Sequence, residues 1–237
     1  MEGTLKDARE LGEPVDFRPP SRLDRTPLSG RYAVLAPVDP DRDAERLFAV
    51  SHPPEGDPSI WDYLFDGPYR DVSDLRAALE RSAASEDPFF YTVLRSPDQD
   101  PQGIVAYLRI TPEHGVIEIG NIWFGTPLQR TAAATEAIYL LARHAFDDLG
   151  YRRLEWKCNA LNLPSRRAAE RFGFVFEGVF AQHMVVKGRN RDTAWYAVTD
   201  RRWPALRRAF ESWLSEENLG SDGRQRRSLA ELREARA

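Results

Sequence analysis

The run IWFGTPLQRTAAATEA, residues 122–137, decides the reading of the fold. It opens as the end of an apolar strand, turns at Gly125 and Pro127, and becomes a run of small residues at a helix start. The first turn of a helix presents N–H groups without partners and a positive partial charge, so it favours an anion such as phosphate. From Gln129 through Arg130, Thr131, Ala132, Ala133, Ala134 and Thr135, mostly short side chains let the backbone approach such a group. Arg130 and Thr131 add donors. The same alanines serve equally as plain helix formers, and spacing alone leaves both readings open.

Working outward, apolar residues at 128, 132, 135, 138, 142, 146 and 149 mark one face of an amphipathic helix that Gly150 ends. Upstream, FFYTVLR (89–95), QGIVAYLRI (102–110) and GVIEIGNIWF (115–124) are separated by turn-formers and predict an antiparallel meander. Before it come a strand at RYAVLAPV (31–38), a helix capped by Asp39 with Pro40 at its first position, an aromatic and acidic loop at 53–70, and a second helix. That helix starts at a cap from Asp71 or Ser73 and runs to about Ser85. Downstream, YRRLEWKCNA (151–160) reads as a strand, and Asn162, Pro164 and Ser165 open a short helix closing on Gly173. Two long strands joined at Arg189–Asn190 form a hairpin, and WPALRRAFESWL (203–214) is the last helix. The expected organisation is an arm at 1–27, one domain at 28–215 and a polar, mobile tail at 216–237. Strands gathered around a central helix give a mixed α/β (α+β) sheet in a single domain.

Composition narrows the function classes. A net charge of −4 gives no basic balance for nucleic acid as the main partner. A single cysteine, Cys158, excludes an internal disulfide and suits a reducing compartment. The first residues lack the apolar core of a secretory signal, and no apolar run is long enough to span a membrane, so the cytoplasm is the expected address. His52, His114, His144 and His183 show no ligand spacing, so no metal is expected, and neither a GK[ST] loop nor GxGxxG is present.

QRTAAATEA (129–137) resembles the pyrophosphate loop of the GNAT acetyltransferases, with Ala132 in place of the loop's first glycine. CNALNLPSRRAAERFGFVFEG (158–178) looks like that family's second cofactor segment, an N-x-N-x-x-S run followed by a short helix and Gly-Phe. With WFGTPLQRT and HMVVKGRNRDT (183–193), the chain is similar to the branch that includes the ribosomal-protein N-terminal alanine/serine acetyltransferases. The resemblance covers about residues 28–215. It implies a V-shaped split between the fourth and fifth strands, here 118–124 and 152–158. Acetyl-CoA would lie with its pantetheine against the backbone of Ile122, Trp123 and Phe124, its pyrophosphate on 129–135, and Asn162 beside the arm.

Transfer of acetyl to a primary amine needs a base, oxyanion donors and an acid for the departing thiolate. Glu118, in the apolar run VIEIGNIW, is the expected base, with partial burial raising its pKa; otherwise it is an exposed or salt-bridged strand residue. Strand N–H groups near Trp123 supply the oxyanion donors. The resemblance implies a tyrosine acid where this chain has Ala169, so Ser165 is the replacement, unless it only caps its helix. Asn159 orients substrate or water, or pairs with sheet backbone. Cys158 reads as a small core residue rather than a nucleophile. On the acceptor side stand Trp61, Tyr63, Phe65 and Tyr69, either stacking on substrate or pinning the loop, with Asp57, Asp62 and Asp66 available to a cation, and His183 from the hairpin. The expected acceptor is a small-molecule or peptide amine, and a homodimer is compatible. A reading from another class is a non-catalytic acyl-CoA-binding or adaptor protein on the same scaffold, favoured by Ala132, by Ala169 and by Arg224, Arg226 and Arg227 as a docking patch.

Overall fold

The computed structural model describes residues 12–222 and 224–234. Its strands are β1 (Leu28–Ser29), β2 (Ala33–Pro37), β3 (Phe89–Arg95), β4 (Asp100–Thr111), β5 (Val116–Phe124), β6 (Arg153–Asn159), β7 (Val175–Val186) and β8 (Arg189–Thr199). They form one sheet in the order β1-β2-β3-β4-β5-β6-β8-β7, antiparallel throughout except where β5 meets β6. A parallel neighbour needs a crossover, and the helix expected after residue 128 supplies it as α3 (Ala132–Arg143).

Both faces of the sheet are covered. Alternation sends Ile104 and Trp123 into one apolar cluster and Val105, Tyr107, Ile117 and Ile119 into the other. The smaller cluster is closed by α1 (Pro40–Ser51), α2 (Val72–Ala84) and Trp61. The larger is closed by α3 and α5 (Trp203–Leu214), with Phe172 and Phe174 from the end of α4 (Leu163–Arg171). Asp39 caps α1 by accepting from the N–H groups of Asp41 and Arg42, and Asp71, not Ser73, caps α2.

Three local expectations are corrected. Leu128 is buried, but in the turn before α3, because Thr131 takes the cap and the helix begins at Ala132. After Arg143 the helix widens into a π turn, His144–Asp148, and Gly150 at φ +84° stops it. The hairpin turns at Lys187 and Gly188, with φ +49° and +71°, while Arg189 and Asn190 pair with Val186 and Val185. Consecutive left-handed residues match the twist of a two-residue hairpin, and Gly188 supplies one without strain.

The segment expected as a polar tail is also corrected. It returns as α6 (Leu229–Glu234), and Leu229 and Leu232 join the main core. Two leucines three apart are a minimal helical stripe that the polar composition conceals. Arg226 and Arg227 are held by the carbonyls of Leu219 and Glu231 within their own segment. Gly223 and residues 235–237 lie outside the described residues. Of the expected arm, residues 1–11 lie outside them too; further along, the Ser21 N–H donates to Leu149 O at 2.9 Å and Leu23 packs on the core. Among the described residues, no helix is long and apolar enough to cross a membrane.

Candidate active site

The parallel pairing of β5 and β6 is short. It joins Val116–Ile119 to Arg153–Trp156 and stops. Beyond that point β5 stays bonded to β4 as far as Phe124 and β6 to β8 as far as Asn159, so the facing edges are left bare. A register shift between Ile104 and Ala106 and a left-handed Asn121, φ +48°, mark where β5 bends away. This is the expected V-shaped split; the short edge strand β1 makes the two strands fifth and sixth.

A cavity of about 100 Å³ fills the split. Glu118, Ile122, Asn159, Asn162, Ser165 and Tyr63 all line it, so the fold gathers candidates that lie up to a hundred residues apart in sequence. Glu118 is buried, and it is salt-bridged, the alternative the sequence left open. Its carboxylate is buried, accepts from Arg109 Nη1 at 2.8 Å and pairs with Lys157 Nζ at 2.9 Å. Lys157 is itself buried, pairs with Glu155 at 2.6 Å and lies 3.9 Å from the centre of the Trp195 ring. Burial pushes the Glu155 carboxyl up, but hydrogen bonds from Lys157 and Arg153 outweigh this and hold it below the usual value.

Around the mouth of α4, Asn162 Oδ1 accepts from the Ser165 N–H at 3.1 Å, so Asn162 is the helix cap and Ser165 is not. Ser165 Oγ accepts from Trp156 Nε1 at 3.0 Å and lies within hydrogen-bond reach of the Cys158 thiol. Asn159 Oδ1 accepts from the Leu161 N–H at 2.9 Å. Tyr63 bridges from the loop to this turn, its hydroxyl 3.4 Å from Leu161 O. Cys158 is buried, and burial raises its thiol pKa, as suits a core residue.

At the start of α3, Thr131 Oγ1 accepts from the Ala134 N–H at 3.2 Å. Helix geometry leaves the N–H groups of Ala132 and Ala133 without intrahelical partners. Arg130 is exposed and held at φ +62°, an uncommon conformation for a residue with a Cβ. The neighbouring candidates have structural duties. Gln129 Nε2 donates to Phe124 O at 2.9 Å, and Thr135 is buried, its hydroxyl accepting from Arg171. Glu136 anchors the whole helix: its carboxylate takes the N–H groups of Arg31, Tyr32 and Ala33 at 2.9, 2.6 and 2.8 Å. Gly30 makes room, since a Cβ there would lie 2.3 Å from Glu136.

Three acceptor-side candidates, Trp61, Tyr69 and His183, are not in the split. Trp61 is buried, edge-on to Tyr69 and tilted against Trp123, and it fronts a second cavity between the loop and α2. Its bulk made it the anchor of the smaller core. His183 is exposed on β7, the sheet's outer strand, bonded to Thr193 Oγ1 at 2.9 Å. Asp57 caps its own turn, and Asp62 and Asp66 do not line the split. Conversely, Arg109, Lys157 and Arg191 line it and were not among the candidates. A lysine inside the strand run LEWKCN was the available signal, because lysine is almost never buried unpaired.

A mixed sheet that opens between parallel strands, with an anion-favouring helix start beside the opening, is the framework of an acyl-CoA-using transferase. Residues 33–175 match the acetyltransferase (GNAT) domain, and the chain belongs to that family. A GCN5-related N-acetyltransferase from Brucella melitensis is 44% identical, covers 92% of this chain and 99% of its own, and superposes with a TM-score of 0.88. The uncharacterized N-acetyltransferase p20 of Bacillus licheniformis is 26% identical over 62% of this chain and 84% of its own. YdaF of Bacillus subtilis (strain 168), named as a ribosomal N-acetyltransferase, is 27% identical over 43% of this chain and 55% of its own, in keeping with the ribosomal branch. The chain is therefore a GNAT N-acetyltransferase by family, fold and relatives.

Proposed function

We propose that acetyl passes from acetyl-CoA to a primary amine by direct attack inside the split. The observation that carries this reading is the early end of the β5–β6 pairing, with Glu118, Asn159, Asn162 and Ser165 lining the opening. The bare edge of β5 from Gly120 to Phe124 would receive the pantetheine, and the free N–H groups of Ala132 and Ala133 the pyrophosphate. The amine nitrogen forms its bond to the thioester carbon while the C–S bond breaks. Unpaired N–H groups of β5 hold the oxyanion. The amine's proton goes to Glu118. Because Arg109 and Lys157 already occupy both carboxylate oxygens, a relay through water fits better than direct contact. The departing thiolate takes a hydrogen bond from Ser165.

The acceptor class within this reading is a peptide N-terminus, an aminoacyl or nucleotide-linked amine, or a small amine; YdaF's name supports the first. The exposed Phe176, Val179, Phe180 and Val185 of β7 support a homodimer. Acetyl-CoA at a hundred times its dissociation constant should stabilise the fold by about 2.7 kcal/mol. Unchanged melting in millimolar acetyl-CoA would remove the enzyme reading, and a screen of amines and peptides for acetyl-CoA-dependent thiol release would identify the acceptor.

A further inference from the structure

Arg191 is a buried cation without an ion-pair partner among the described residues. It is 7% exposed, and its Nε is buried without a hydrogen bond. Among the described residues it makes no ion pair; its guanidinium carbon lies 5.2 Å from the centre of the Phe65 ring. Burying an unpaired charge is costly, and folded proteins rarely leave one without a function. The cost is visible in the direction of its pKa, which burial lowers.

The position of Arg191 shows what it faces. It lies on β8 just past the residues that pair with β6, and it lines the split cavity. Phe65 places it under the loop that covers the acceptor side, away from the helix start proposed for the pyrophosphate. The charge of the wall is unbalanced. Arg109 and Lys157 are matched by Glu118 and Glu155, which leaves Arg191 as the unmatched charge. A guanidinium presents a planar fork suited to two oxygens at once.

We propose that the amine acceptor carries an anionic group, a carboxylate or a phosphate, that docks on Arg191. The inference rests on the acetyltransferase reading and narrows its substrate to amines that are also acids. The free protein stores a charge whose partner arrives with the substrate, so selection is against amines that leave the guanidinium unpaired.

The test uses matched probes on the full chain loaded with acetyl-CoA: L-alanine against L-alaninamide, and O-phosphoethanolamine against ethanolamine. Binding is read by thermal shift and acetylation by thiol release. The acid of one pair should bind roughly 10- to 100-fold better than its neutral partner, the range expected for hydrogen bonds to a charged group. Which pair responds tells carboxylate from phosphate. Arg191→Gln should abolish the preference, and Arg191→Lys should restore part of it, with acetyl-CoA affinity unchanged in both. No acid preference in either pair of the wild type overturns the proposal, as does a preference that survives in Arg191→Gln. A weaker acetyl-CoA affinity in Arg191→Gln would assign the residue to the cofactor and also overturn it. Calorimetry of acetyl-CoA alone tests the underlying reading separately, because the contacts proposed for the cofactor, the β5 edge at 120–124 and the N–H groups of Ala132 and Ala133, do not include Arg191.

Discussion

The start of α3 and the charged mouth of the split serve the same proposed reaction by opposite means. At residues 131–135 the working groups are backbone N–H groups, contiguous in sequence and oriented by one capped helix. At the mouth they are side chains from β4, β5 and β6, held by the network of Arg109, Glu118, Lys157 and Glu155, with Arg191 of β8 outside it. The first region depends on helix geometry and tolerates changes of side chain that stay small. The second depends on charge balance in a buried place, where removing one partner strands the others. In the proposed reaction, pyrophosphate binding is thereby local and robust, and acceptor handling is distributed and fragile.

That contrast can be broken in three ways. The largest effect should come from Glu118→Gln, which lowers turnover by about 10²–10⁴ if Glu118 accepts the amine proton, with acetyl-CoA affinity intact. A wild-type pH–rate profile in this variant would assign Glu118 to structure alone. Next is Lys157→Met, which leaves Glu118 and Glu155 facing each other and should cost about 3–5 kcal/mol in denaturant melts. The pH dependence sharpens the point. Because the folded Glu155 carboxyl sits below its ordinary value of 4.5, it adds stability above that pH that is lost as pH falls through the folded value. Without Lys157 the loss should begin at higher pH. The smallest effect is Thr131→Ala, about 1 kcal/mol of stability from the lost cap, with weaker acetyl-CoA binding and an unaltered acceptor KM. A change in acceptor KM would show that the two regions are not separate.

Legibility in the sequence follows the same division. Strand and helix periods placed β3 through β6 and α5 to within about two residues, because each element's own apolar pattern is buried by the sheet or helix that carries it. The helix start was legible because it is local, whereas the split and the place of Asn162 beside it came from the family resemblance. Glu118 was found, but its partners were not: Arg109 comes from a different strand and Lys157 from beyond the crossover helix, and no spacing rule links them. Trp61 stayed open between substrate and core because an aromatic cluster in a loop looks the same in both cases; only the packing of α1 and α2 separates the two. Leu229 and Leu232 were hidden by the charged residues around them.

The opening in the sheet also bears on solubility. Bare strand edges act as templates for further strands and are a common route to aggregation. Here two such edges lie inside the sheet rather than at its rim. Ile60, Tyr63, Leu64 and Phe65 roof the opening, and Arg109, Lys157 and Arg191 line its walls. A foreign strand entering there would have to displace the roof and bury three cations beside its own backbone. The charges that prepare the cleft for its reactants thus also keep it from recruiting another chain.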